Sequence, residues 1–584
     1  MYIDDFSVAT KMESVKTDLQ VSQQGDHYVV LRFTADFEKK ITPQPISVEW
    51  TFPVNNILSV WTPLEGFSRF IKPNWDRTKS ISKTAHGAPV LSLVNHDNTN
   101  ACTIAISDPK TPTEIGVGVS EEAAAFFCRA TFFTSYISPI DHYEAYIRID
   151  YEGIPFVDAV KNANAWWETE FGYQKAYVPE EAYLPMDSTW YSFHQDLVPD
   201  KLIEQCRLSS QLGMKTIIID DGWQTTNSSR GYRYCGDWQL AAEKIPDMKA
   251  LTDEIHKLGM KVMLWFSVPY VGIYSKAYER FRDMALKENK GVLILDVRYQ
   301  QVREYLVQTY VTAVKDFGLD GLKLDFIDQF LLTEDSPPVN EKMDIPSVED
   351  ALEDLLQQTK KALLQINPEI LLEFRQRYIG PAMLKYGNMI RVSDCPHDSM
   401  RNRAGIINLR LTSGKTAVHS DMLMWNKNAP VATAARQLIS TLFGVPQVSV
   451  VLRELPGEHL QAVRFWLDFY RENRELLHSD ELYVKNPELG YTQVKTRKND
   501  AVIGVNYANV PFEIGDDHTY TLINSADEDR MCIHCTENMG AVDICVYDCL
   551  GRPVSQKQTQ LSPGATMLDV PVCGFVRITK KEGK

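Results

Sequence analysis

Between residues 183 and 450 the chain repeats one rhythm, a short apolar run followed by a longer amphipathic stretch. Eight such runs lie at 187–192, 215–220, 261–266, 292–297, 321–325, 369–374, 389–393 and 416–420, separated by segments such as 199–212, 302–317 and 348–366. Alternation of this kind buries a strand beneath a covering helix. Eight units in about 270 residues match the size of a (β/α)8 barrel. A doubly wound sheet usually carries a Gly-rich phosphate loop after its first strand. Here the first run leads into Tyr191-Ser-Phe-His194 instead.

The flanks read differently. Up to about residue 155, Tyr28–Phe33, Val48–Phe52 and the alternating Tyr143–Tyr151 are strand-like. Phe156, Ala159, Val160, Ala163, Trp166 and Trp167 then recur at helical spacing. The tail returns to short β runs, Ala501–Asn506 and Ala541–Tyr547 among them. The expected fold is therefore multidomain, α/β plus all-β. An N-terminal β-sandwich spans 1–155, a helical linker 156–182, a central TIM barrel 183–480, and a C-terminal antiparallel β-sandwich 485–584.

Composition narrows the partners. The 584 residues carry a net charge of −16, so the overall field is poorly suited to nucleic acid or anionic lipid. No run of 18 apolar residues suggests a membrane span. Ten cysteines are too few for a disulfide scaffold and lean towards a reducing, cytoplasmic compartment. The N-terminus lacks a basic then apolar leader, although removal of a signal peptide would leave the same pattern. Cys532, Cys535, Cys545 and Cys549 have paired spacing that a zinc site would use, but read better as small core residues of a β-rich tail. The sequence sets no oligomeric state.

In a barrel, reactive groups belong at the C-terminal ends of the strands. Asp220-Asp-Gly-Trp-Gln224, Trp265, Asp296 with Arg298, Lys323-Leu-Asp325, Glu373-Phe-Arg375, Arg391-Val-Ser-Asp394 and His419-Ser-Asp421 all fall there. Period-two alternation turns Lys323 and Asp325 to one face and Leu322 and Leu324 to the other. A lysine so close would keep Asp325 a carboxylate. Asp394 would serve as its partner across the mouth, protonated beside a charged neighbour and donating to a leaving oxygen. Adjacent carboxylates at Asp220 and Asp221, with tryptophans 190, 223, 238 and 265 nearby, suit a polyol whose C–H face packs on an aromatic ring. A divalent cation held by Asp220, Asp221 and Asp296 is the competing chemistry, and a non-catalytic sugar-binding barrel is a third. Glu373 with Arg375, and Arg391 with Asp394, fit local ion pairs equally. His419 and Asp421 suit the rim, and His194 a structural role.

At Asp220-Asp-Gly-Trp-Gln224, Gly321-Leu-Lys-Leu-Asp325, Arg391-Val-Ser-Asp394 and His419-Ser-Asp-Met422 the chain resembles the retaining α-galactosidase clan, above all glycoside hydrolase family 36 with its raffinose-synthase-like branch. The resemblance implies an exo-acting hydrolase that removes terminal α-galactosyl groups from an oligosaccharide or glycoside, with galactosyl transfer as the alternative. By this likeness Asp325 is the nucleophile and Asp394 the acid/base, about 5–5.5 Å apart as retention requires. Asp220, Asp221, Trp223, Trp265, Lys323, Arg375 and Arg391 would bind substrate, and no metal or organic cofactor is implied. There are departures. Larger members carry a Cys- and Gly-rich segment where this chain reads Glu373-Phe-Arg-Gln-Arg-Tyr-Ile-Gly380, and here Phe326 follows the nucleophile and Cys395 the acid/base. By the resemblance these positions would line the 2-hydroxyl side and the leaving-group subsite.

Overall fold

The computed structural model describes residues 6–64, 69–375 and 377–581. Its N-terminal part is two facing antiparallel sheets, of five and six strands. Alternation explains the packing: along Ile140–Asp150, Tyr143, Ala145, Ile147 and Ile149 enter the shared core, while Glu144 faces solvent. The helix Phe156–Phe171 follows and buries Phe156, Val160, Ala163 and Trp167. It stops at Gly172, whose φ of 70° is the left-handed cap that glycine adopts without strain. Trp167 Nε1 donates to the Ile106 carbonyl at 2.8 Å and ties the helix to the sandwich.

The barrel is a parallel sheet of eight strands: β1 (Met186–Ser188), β2 (Thr216–Ile219), β3 (Lys261–Ser267), β4 (Gly321–Asp325), β5 (Leu371–Arg375), β6 (Met389–Arg391), β7 (Ala417–His419) and β8 (Gln447–Val448). They pair in the order β7-β6-β5-β4-β3-β2-β1-β8. Parallel bridges His419–Val445 and Leu423–Val448 join the two edges.

Two expectations change here. The run at 292–297 is not a barrel strand. Val292–Leu295 pairs antiparallel with Tyr270–Gly272 and Ala285–Asn289, in a small ribbon inserted after β3. The vacated place in the barrel is taken by β8, which is two residues long and follows Pro446. A run that short has no periodicity to detect. The Asp325 strand is therefore fourth, not fifth, and Asp394 follows the sixth.

Beyond the helix Gly457–Leu477, strands from Glu481 onward form a seven-stranded and a three-stranded sheet around their own core. Cys532 and Cys535 lie on one sheet, Cys545 on the other, and all four tail cysteines are single thiols. No described helix is long and apolar enough to cross a membrane.

Candidate active site

Turn chemistry builds the first wall. After β2 the chain bends at Gly222, where φ is 122° and a Cβ would stand 2.7 Å from Gln195 Cα. Only glycine closes this turn, and it leaves Asp220 and Asp221 side by side and buried. Asp220 Oδ2 accepts from Lys323 Nζ at 2.6 Å. Asp221 accepts from the amides of Gln195 and Gln224 at 2.6 and 2.7 Å. Burial nevertheless pushes Asp221 up to about 6.

Lys323 and Asp325 both face the bore of β4, as alternation requires, and Leu322 and Leu324 join the core outside. Their pairing is not the expected one. Lys323 spends its charge on Asp220, while the cation on Asp325 Oδ1 is Arg375 from β5. The backbone N–H of Phe326 adds a second bond to that oxygen at 2.8 Å, and Trp265 Nε1 donates to Oδ2 at 3.0 Å. Phe326 sits at φ 65°, in the left-handed region that bulky residues enter rarely.

The opposite wall centres on Arg391, which is buried. Its NH1 meets Asp421 and the Val392 carbonyl, and its NH2 meets Asp394 Oδ1 at 2.9 Å. Asp421 in turn accepts from Cys395 N–H at 2.7 Å and Tyr191 OH at 3.1 Å. Arg391 is thus fixed, whereas the Asp394 side chain is 54% exposed. Arg391 pulls Asp394 down to about 2, against burial and with Lys323 assisting. A protonated Asp394 is therefore not what this arrangement holds, because its charged neighbour is a cation, not a carboxylate.

Eight of the nine residues singled out by sequence line one cavity of about 160 Å³: Asp220, Asp221, Trp265, Lys323, Asp325, Arg375, Arg391 and Asp394. That is the scale of a single sugar ring. A roomier cleft of about 460 Å³ beside Tyr483 and Arg497 lies on the C-terminal sheets, away from the strand ends. Trp223 is the ninth and does not reach the cavity. It is fully buried beneath the turn, with Nε1 on the Trp265 carbonyl at 2.9 Å and its rings against Trp238 and Phe266. Trp190, one of the tryptophans expected near the rim, lines the wall in its stead, with Met422 from the His419-Ser-Asp-Met422 motif. Tyr232 also lines it and was missed in the sequence, because it lies in a long aperiodic loop.

Other candidates go elsewhere. Asp296 is buried against Arg298, with bonds of 3.0 and 2.7 Å, so the set Asp220, Asp221 and Asp296 does not converge on one point. Among the described residues no group of three or more potential ligands could hold a metal. His419 is enclosed in the barrel wall, its Nε2–H donating to the Ala182 carbonyl at 2.7 Å, and burial pushes it down to about 3. Its expected rim role is not met. Asp421 acts behind the rim, through Arg391. Glu373 pairs not with Arg375 but with the Gln447 amide, and faces Arg391 at 3.9 Å. His194 stands at the edge, 2.9 Å from Arg230.

The family profile that matches this chain is that of melibiase, over residues 184–479, just over half of its length. The chain belongs to the melibiase family. Among its sequence relatives, α-galactosidase AgaA of Geobacillus stearothermophilus is 24% identical over 146 residues, covering 24% of this chain and 20% of AgaA. An A type blood α-D-galactosamine galactosaminidase of Flavonifractor plautii is 31% identical over 121 residues, 20% of this chain and 10% of that protein. The matched stretches thus span a fifth or less of these two relatives. In three dimensions, the structure of AgaA in complex with raffinose superposes with a TM-score of 0.65 at 14% identity, covering 97% of this chain and 81% of that one. The α-galactosidase of Lactobacillus brevis gives 0.62 at 14% identity, covering 100% and 86%. At that identity the likeness is one of fold.

Proposed function

We propose that the protein is a glycoside hydrolase that removes terminal α-galactosyl groups from oligosaccharides or glycosides, with retention, by double displacement. The observation that carries the reading is that Asp325 and Asp394 line the same one-ring cavity, from the end of β4 and from the segment after β6. A cavity of about 160 Å³ suits attack on a terminal sugar and not on the middle of a chain. Membership of the melibiase family and the raffinose bound by AgaA support the choice of sugar.

In the first step an Asp325 oxygen bonds to the anomeric carbon. The bond from that carbon to the leaving oxygen breaks, and Asp394 delivers a proton to that oxygen. In the second, water attacks the anomeric carbon, gives its proton to Asp394, and frees Asp325. Trp265, Phe326 N–H and Arg375 aim the nucleophile. Asp394 must leave Arg391 to carry a proton. Its half-exposed side chain is the mobile partner, since Arg391 stays anchored on Asp421. The ion pair then favours the carboxylate needed to accept a proton from water.

The test is release of nitrophenol from a panel of 4-nitrophenyl α- and β-glycosides. Turnover of the α-galactoside, lost in Asp325→Ala and Asp394→Ala, is the expected result. Undiminished turnover by Asp325→Ala would overturn the assignment.

A further inference from the structure

We propose that the C-terminal domain carries a second, non-catalytic carbohydrate site, a cleft at the overhang of its two sheets that takes a neutral oligosaccharide. The inference goes beyond the hydrolase reading above and does not depend on which bond the barrel cleaves.

The cleft follows from unequal sheets. Seven strands face three, so the smaller sheet cannot cover the larger. The larger sheet begins with Glu481–Lys485 and Gln493–Lys498, followed by Ala501–Asn506, and the smaller one has Phe512–Ile514 at its edge. Alternation divides the side chains between two faces. Leu482, Val484 and Val494 join the main core on one of them. On the other, Val502 and Tyr520 share the domain's own core with Phe512 and Ile514. Register carries that second face outward from Val502 to Arg497 and Glu481, and from Gly504 to Lys495 and Tyr483. A covered face would continue in leucine or valine. This one turns aromatic and charged where its cover ends.

Two cavities open on the overhang, of about 460 and 210 Å³, and Tyr483, Lys495 and Glu513 line both. They are lobes of one trough, the smaller bounded also by Asp97–Thr99 of the sandwich and by Pro155–Val157 at the start of the linker helix. The larger lobe alone is almost three times the catalytic cavity of about 160 Å³. That is room for a short chain of sugars.

The lining selects the class of ligand. Tyr483 is 41% exposed, and the Lys495 ammonium stands 5.4 Å from the centroid of its ring. Lys485 pairs with Glu513 at 3.1 Å, and Arg497 with Asp517 at 2.5 Å. Lys495 is left without an ion-pair partner among the described residues, and burial pulls its pKa down. An ammonium partly stripped of water in this way needs an oxygen to accept from it. An anion would meet Glu513, Asp516 and Asp517 beside that lysine, and a cation would meet Lys495 and Arg497. A neutral polyol suits both signs, because each hydroxyl donates and accepts, while the C–H face of a sugar ring packs on Tyr483.

The experiment is hydrogen–deuterium exchange on the Asp325→Asn protein, chosen to keep the sugar intact, titrated with stachyose and separately with inorganic phosphate. Stachyose should slow exchange in residues 481–497 and 512–517, and phosphate should not. Added Tyr483→Ala should weaken the stachyose affinity read at these segments by about tenfold or more, by removing an aromatic anchor. Lys495→Met should weaken it about tenfold, by removing a charged donor. Neither substitution should change Tm or, with Asp325 restored, kcat/KM for 4-nitrophenyl α-D-galactopyranoside, because the cleft lies away from the catalytic cavity. Protection that is absent, equal in all three proteins, or given by phosphate in place of stachyose would overturn the inference. No turnover of any nitrophenyl glycoside by wild-type protein would overturn the hydrolase reading instead, and would not bear on this one.

Discussion

The two ends of the barrel bore are built from the same strands and to opposite rules. At the lower end Met186, Ile218, Met263, Leu371, Met389 and Ala417 form a dry apolar plug. Two residues further along, Met263 gives way to Trp265, Leu371 to Glu373 and Met389 to Arg391, and with Gly321 the step leads to Lys323. The strand rise between those layers is about 6.6 Å, and over it the environment changes from hydrocarbon to a lattice of buried charges. Such a lattice is a poor way to stabilise a protein, because desolvating ions offsets most of their attraction. The lower end holds the barrel together, and the upper end is where the proposed chemistry falls.

Substitutions at the two ends should separate these roles. The largest effect is expected at the top: Asp325→Asn should lower kcat on an α-galactoside by about 10⁴-fold or more while leaving Tm within a few degrees of wild type. A large loss of Tm alongside would blur the contrast. Next is the pair Lys323–Asp220, with side chains 4% and 5% exposed. Lys323→Met should cost roughly 3–5 kcal/mol in urea unfolding, by stranding a buried carboxylate, and adding Asp220→Asn should restore most of it. Met263→Ala, below, should cost about 2–5 kcal/mol by opening a cavity, with kcat/KM unchanged for what remains folded.

The smallest effect is electrostatic and sits at the rim. Asp394 is held at about 2 against an ordinary 3.8. The depressed value means that its ion pair adds stability above pH 3.8, and that this is lost as the pH falls towards 2. With the side chain half exposed the gain is small. The stability gap between wild type and Asp394→Asn should be modest at pH 5 and close by pH 2, as read from denaturant midpoints.

What the sequence revealed follows the same division. Lys323 and Asp325 could be turned into the bore from alternation alone, and the strand-end rule gathered most of the cavity lining. Partner choice could not be read that way. Whether Lys323 meets Asp325 or Asp220 depends on the register between β2, β3 and β4 and on side-chain reach, neither of which is local. Trp223 and Trp190 illustrate the same point: both lie near strand ends, but the bend at Gly222 sends Trp223 under the turn and leaves the wall to Trp190. The ribbon strand Val292–Leu295 looked like a barrel strand because an apolar run does not specify its partner. β8 was invisible because two residues carry no period.

The central claim concerns one oxygen of Asp325, and the most direct measurement is the mass of that side chain during turnover. Wild-type protein mixed with a fast α-galactosyl donor, quenched in acid and digested, should yield the peptide containing Asp325 heavier by one galactosyl group, and the label should vanish as substrate is exhausted. A label on any other carboxylate, or steady turnover with that peptide never modified, would contradict the account.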